Sequence, residues 1–113
     1  MIHGIGTDII ETDRIRQSIE KHGSHFLDRL FTKKEQEYCN KFKDPAIHFA
    51  GRFAAKEAIS KALGSGFGKD LSFLDLEIIN EENGKPIVQN RSNIHLSISH
   101  CESYATATAI VEA

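Results

Sequence analysis

The segment from Ala46 to Leu63 constrains the fold of this chain more than any other. It is rich in alanine, has no proline, and carries a single glycine, Gly51, so its composition predicts one long helix. Pro45 suits a fresh helix start, and the run Gly64-Ser65-Gly66-Phe67-Gly68 stops it. Ala55, Ala58, Ile59, Ala62 and Leu63 form one side, with Phe49 and Phe53 on a flank. A helix apolar nearly all round implies burial.

One row of this helix is different. Ala50, Ala54, Glu57 and Lys61 recur at i, i+4, i+7 and i+11. Read as an exposed i,i+4 ion pair, Glu57 and Lys61 contribute only about 0.3–0.5 kcal/mol. Read as a site, they set a carboxylate at a cleft beside a phosphate-binding lysine, on alanines small enough for close approach of a ligand or another backbone.

The rest of the chain supplies strands and shorter helices. Met1 to Ile10 is β-branched and apolar around Gly4 and Gly6 and predicts a strand. Asp13 to His22 predicts a helix stopped by Gly23. Thr32 to Phe42 predicts another, opened by the capping box Thr32-Lys33-Lys34-Glu35. In the last third, Ser72 to Asn80 and Pro86 to Gln89 flank the hairpin signal Asn83-Gly84. Ile94 to Ser99 and Tyr104 to Val111 alternate as a second strand pair. This order predicts an α+β fold, an antiparallel sheet packed against helices, in one domain over residues 1–113.

Composition narrows the function classes. A net charge of −2 argues against broad nucleic-acid binding, which favours a strongly basic surface. The two cysteines, Cys39 and Cys101, form no Cys-x-x-Cys pair and are too few for a disulfide scaffold. The start Met1-Ile2-His3-Gly4 lacks the pattern of a signal peptide, and no apolar run is long enough for a membrane helix. The expectation is a cytoplasmic chain with reduced thiols and no membrane partner.

Asp8, at the polar end of the first strand in Gly6-Thr7-Asp8, is a turn residue by ordinary preference. If it meets Glu57, two carboxylates and substrate phosphates make the usual holder of Mg²⁺. Gly6 beside it is read as room for a ligand. His100 closes the segment Ser97-Ile98-Ser99-His100. A Cys101/His100 thiol site is disfavoured, because adjacent strand residues face opposite ways. The glycine loop fails as a phosphate loop, having Leu63 where the first glycine belongs and Asp70 after Lys69. None of the six histidines has the spacing of a zinc helix.

Three blocks together resemble the acyl-carrier-protein synthase family of 4′-phosphopantetheinyl transferases. They are Gly4-Ile5-Gly6-Thr7-Asp8-Ile9-Ile10-Glu11 with Arg14-Ile15, then Phe49 to Gly64, then Asn83-Gly84-Lys85-Pro86 with His95 to His100. They span nearly the whole chain. The resemblance implies transfer of 4′-phosphopantetheine from coenzyme A to a serine of apo-acyl carrier protein, in support of fatty acid biosynthesis. It implies the family's fold and a homotrimer with coenzyme A at clefts between subunits. It implies Mg²⁺ held by Asp8 and Glu57, catalytic roles for Glu57 and Lys61, and Lys61 at the diphosphate. It implies that Arg52, Gly84, Pro86 and His100 lie near coenzyme A. With an acidic carrier in view, Arg14, Lys21 and Arg29 become its docking face. Cys101 departs from the pattern, since a polar residue is expected after the histidine. A non-catalytic carrier-binding subunit of the same fold is the alternative, and the presence of Asp8, Glu57 and Lys61 weighs against it.

Overall fold

The computed structural model describes all of residues 1–113. Strand β1 (Ile2–Glu11) leads into helices α1 (Thr12–His22), α2 (Ser24–Leu30), α3 (Lys33–Cys39) and α4 (Pro45–Leu63). A single 3₁₀ turn at Phe73–Asp75 precedes strands β2 (Ile78–Asn80), β3 (Pro86–Val88), β4 (Ile94–His100) and β5 (Tyr104–Glu112). The main sheet is antiparallel in the order β1-β5-β4, and β2 and β3 form a separate hairpin. The fold is α+β, as the order of elements predicts.

Helix α4 is the centre, and small residues on both sides explain its seat. Ala54, Ala55, Ala58 and Ala62 share a core with Ala107, Ala109 and Val111 of β5, while Thr106 and Thr108 of β5 face out. Strand β1 comes closer still, because Gly4 and Gly6 have no Cβ. A Cβ built on Gly6 would lie 2.0 Å from the Ala58 carbonyl oxygen, and one on Gly4 would lie 2.0 Å from that of Ala62. Gly6 therefore admits a helix, not a ligand, which corrects the sequence expectation. Gly6→Ala forces β1 off α4, since the obstructing atom is backbone. The variant is expected to lose about 1–3 kcal/mol of stability, read from the urea midpoint; an unchanged midpoint would refute this packing.

A second core joins Ile15, Phe31, Cys39, Phe49, Ala50 and Ala105. Burial pushes the Cys39 thiol up to about 12, whereas Cys101 is exposed. Neither is in a disulfide.

The elements differ from the sequence expectation at three further places. Residues 24–30, to which the sequence reading assigned no element, form α2. Gly23, at φ 53°, breaks the axis after α1, and Phe26, Leu27 and Leu30 then pack on the second core. Helix α3 begins at the expected capping box: the Glu35 amide donates to Thr32 Oγ1 at 3.3 Å, and the Thr32 amide to Glu35 Oε1 at 2.8 Å. It ends at Cys39, short of Phe42, where tighter turn bonds take over. Ser72 to Asn80 is a strand only at Ile78–Asn80. The Ser72 amide donates to Asp75 Oδ2 at 2.9 Å, so this segment closes a turn before any strand forms.

One buried charge was not anticipated. Lys56 lies on α4 with no side-chain exposure. Its Nζ donates to Glu35 Oε1 at 2.7 Å, the Leu30 carbonyl at 2.7 Å and the Phe73 carbonyl at 3.0 Å. Glu35 Oε2 accepts from the Ile78 amide at 2.8 Å. This network ties α2, α3, α4 and the β2 hairpin together. Burial lowers the Lys56 pKa, against the opposing pull of Glu35.

Candidate functional site

The close seat of β1 on α4 brings Asp8 to the charged row of the helix. Lys61 Nζ donates to Asp8 Oδ1 at 3.1 Å and to the Thr7 carbonyl at 3.0 Å. Lys61 thus pairs across elements with Asp8, and the i,i+4 ion pair with Glu57 is not formed. The Asp8 side chain is 15% exposed and that of Lys61 54%. Glu57 is half-buried, and its pKa is raised, first by burial and then by the negative charge of Asp8; Lys61 pulls the other way.

Asp8 and Glu57 line a groove of about 340 Å³ whose walls include Arg14, Ile15, Phe26 and Phe53. Nowhere do three or more His, Cys, Asp or Glu side chains gather into a metal cage. The protein offers two carboxylates, hard oxygen donors that repel each other enough to move a pKa. That donor set fits Mg²⁺, which takes one or two carboxylates and completes its octahedron with water and phosphate oxygens. It does not fit zinc, which prefers nitrogen and sulfur.

A second cavity, of about 150 Å³, gathers Arg52, Gly84, Pro86 and His100, the four residues that the resemblance sets near coenzyme A. Its rim is aromatic. His48 stacks on Phe42 at a centroid distance of 3.6 Å and meets His100 edge-on at 5.1 Å. The Arg52 guanidinium sits over the Tyr38 ring at 4.3 Å. Burial, then His100 and Arg52, lower the His48 pKa, so the cavity resists acquiring further positive charge there. Gly84, at φ 90°, has open space around its Cα and leaves the mouth clear. Within one chain the two cavities share no lining residue.

Arg14 and Lys21 are exposed on α1 and line a common groove with Ser18 and His22. Arg29 is exposed in the last turn of α2 and lines neither groove. Tyr38, His48 and Asn80 are part of the second cavity and were missed by the sequence reading. His48 stands four residues before Arg52 on α4, which is a usable signal. Asn80 has none, because its partners lie on other elements.

The sequence matches the profile of the 4′-phosphopantetheinyl transferase superfamily over residues 4–109. The chain belongs to this superfamily. Among its relatives, the holo-[acyl-carrier-protein] synthase of Protochlamydia amoebophila (strain UWE25) is 53% identical, covering 97% of this chain and 98% of that protein. A holo-(acyl-carrier-protein) synthase from Bacillus anthracis str. Ames, solved in complex with CoA (3′,5′-ADP), superimposes with a TM-score of 0.89 at 44% identity, covering 100% and 98% of the two chains. That of Helicobacter pylori, in complex with coenzyme A, gives 0.87 at 35% identity, covering 96% and 99%. The phosphopantetheinyl transferase fold expected from the sequence is thus the fold observed.

Proposed function

We propose that this chain is a holo-[acyl-carrier-protein] synthase, transferring 4′-phosphopantetheine from coenzyme A to a serine of apo-acyl carrier protein and releasing 3′,5′-ADP. The observation that carries this reading is the convergence of Asp8 from β1 with Glu57 and Lys61 from α4. A binding subunit needs no such set.

In this reading the serine oxygen attacks the phosphorus that bears pantetheine, and the bond from that phosphorus to the 3′,5′-ADP oxygen breaks. Mg²⁺ between Asp8 and Glu57 would neutralise charge on the diphosphate. Glu57 would accept the serine proton, directly or through a metal-bound water. Lys61, exposed and anchored by Asp8, stabilises or protonates the departing oxygen. Arg52, Gly84, Pro86 and His100 receive the nucleotide end of coenzyme A.

The second cavity is too small for a whole coenzyme A molecule, since sites for such ligands occupy about 300–1,000 Å³. The outer face of the main sheet leaves Ile5 and Ile9 more than half exposed, with Tyr104 diagonal to Ile9. Both facts favour an interface between copies, which the family resemblance makes a homotrimer, with coenzyme A spanning the nucleotide cavity of one copy and the carboxylates of the next. No helix is long and apolar enough to cross a membrane. With coenzyme A and a carrier protein as substrates, the reading is a cytoplasmic reaction in support of fatty acid biosynthesis.

The test is to mix the protein with coenzyme A, Mg²⁺ and an apo-acyl carrier protein and to weigh the carrier by intact mass spectrometry. A gain of one phosphopantetheine that EDTA abolishes supports both the reaction and its metal. No gain with several carriers, while coenzyme A still binds, would favour a binding subunit instead.

The exposed Arg14, Lys21 and Arg29 form the proposed docking face for an acidic carrier. Arg14→Ala with Lys21→Ala is expected to raise the carrier KM about 5- to 10-fold at low salt. The effect shrinks as salt rises; because Arg14 also walls the groove of Asp8 and Glu57, Lys21→Ala alone is the variant expected to leave the coenzyme A KM unchanged. Equal carrier KM values at low salt would remove this face.

A further inference from the structure

Arg52 is nearly fully buried, 4% exposed, and its Nε has no hydrogen-bond partner. A guanidinium carries donors only, so its aim depends on whatever holds it. Two groups do. The Tyr38 ring covers one face, and Asn80 Oδ1 accepts from Nη2 at 2.6 Å.

Asn80 makes a second bond. Its Nδ2 donates to the Gly84 carbonyl at 2.9 Å, across the loop that joins β2 to β3. Only one orientation of the carboxamide satisfies both partners, since the guanidinium can only donate and the carbonyl can only accept. The loop closes on itself through Gly84 N to the Glu81 carbonyl at 2.8 Å and Glu81 N to the Lys85 carbonyl at 2.9 Å. Neither bond reaches α4. The Arg52–Asn80 bond is the one direct hydrogen bond between the β2–β3 hairpin and α4, the Glu35 network joining them only through α3. Both partners of Asn80, Arg52 and Gly84, line the second cavity.

We infer that Asn80 is a positioning residue for coenzyme A, one carboxamide that fixes the aim of the Arg52 guanidinium and the height of the Gly84 loop across the same cavity. This rests on the coenzyme A reading proposed above. Asn80 does not act on the reacting atoms, and the carboxylate site lines a different groove.

Steady-state kinetics of Asn80→Ala, Arg52→Ala and the double variant test this, with thermal unfolding measured alongside. Asn80→Ala is expected to raise the coenzyme A KM about tenfold, the loss of one hydrogen bond to a charged group. Its kcat and carrier KM remain those of the parent. Combined with Arg52→Ala, it adds less than it does alone, because part of its effect passes through Arg52. Asn80→Asp, close in volume, is expected to raise the KM further, as its carboxylate offsets the positive charge that Arg52 presents and repels both the Gly84 carbonyl and the coenzyme A phosphates. An unchanged coenzyme A KM in Asn80→Ala and Asn80→Asp, against an active parent, would overturn the inference and leave the proposed function standing. Full additivity of Asn80→Ala with Arg52→Ala would also overturn it. A parent that neither binds nor uses coenzyme A would overturn both.

Discussion

Glu57→Gln is expected to lower phosphopantetheine transfer by at least about 100-fold, since removing even a group behind a metal ligand costs about 10–100-fold. The fold should not suffer. Glutamine has the same shape, and the charge it removes is disfavoured where it stands, by burial and by Asp8. Thermal stability without metal should therefore be unchanged or higher. The pH dependence has a definite sign. A folded-state pKa raised above the ordinary 4.5 means that the fold holds the Glu57 proton more tightly than the unfolded chain does. That contribution is present below pH 4.5 and is lost as pH rises through the raised value. Mg²⁺ needs the carboxylate, so its affinity should rise with pH over the same window. Glu57→Gln should flatten the metal-free stability profile there. Wild-type-like turnover in this variant would remove Glu57 from the site.

Lys56→Met is expected to cost about 3–5 kcal/mol of folding stability, the usual penalty for stripping one partner from a buried ion pair. The variant leaves the Glu35 carboxylate buried without its counter-charge. It also leaves the Leu30 and Phe73 carbonyls without their donor. Against a total of about 5–15 kcal/mol for a domain, the loss is a large share, and it should appear as a lower urea midpoint. Replacing Glu35 by Leu as well should recover part of it, because an apolar pair removes the uncompensated charge. Recovery stays incomplete, since the Thr32 and Ile78 amides lose their acceptor. Lys56 lines neither cavity, so folded protein should keep its coenzyme A KM. A loss below about 1 kcal/mol, the range of exposed pairs, would mean that water reaches this pair.

These two consecutive charges on α4 show what a sequence can and cannot reveal. Glu57 was legible because it shares a row with Ala50, Ala54 and Lys61, and helical periodicity is a local property. Lys56, one residue earlier, has no such signal. Its role depends on Glu35, Leu30 and Phe73, which reach it from three other segments of the chain. The capping box at Thr32 was likewise local and was found; the same Glu35 carboxylate also bonding Ile78 was not.

The sequence by itself determined the elements whose causes are short-range. These are the alanine helix from Ala46 to Leu63, the capped start of α3, the hairpin around Gly84 and the alternating strands β4 and β5. Its three blocks also named the family. Only the tertiary structure decided which partner each charged group takes. Glycine at positions 4 and 6 lets β1 lie against the backbone of α4, so Lys61 turns to Asp8 and away from Glu57. Asn80 meets Arg52 and Gly84 only because the hairpin folds over the helix. Such pairings depend on the separation of two backbones, which no periodicity along one segment encodes.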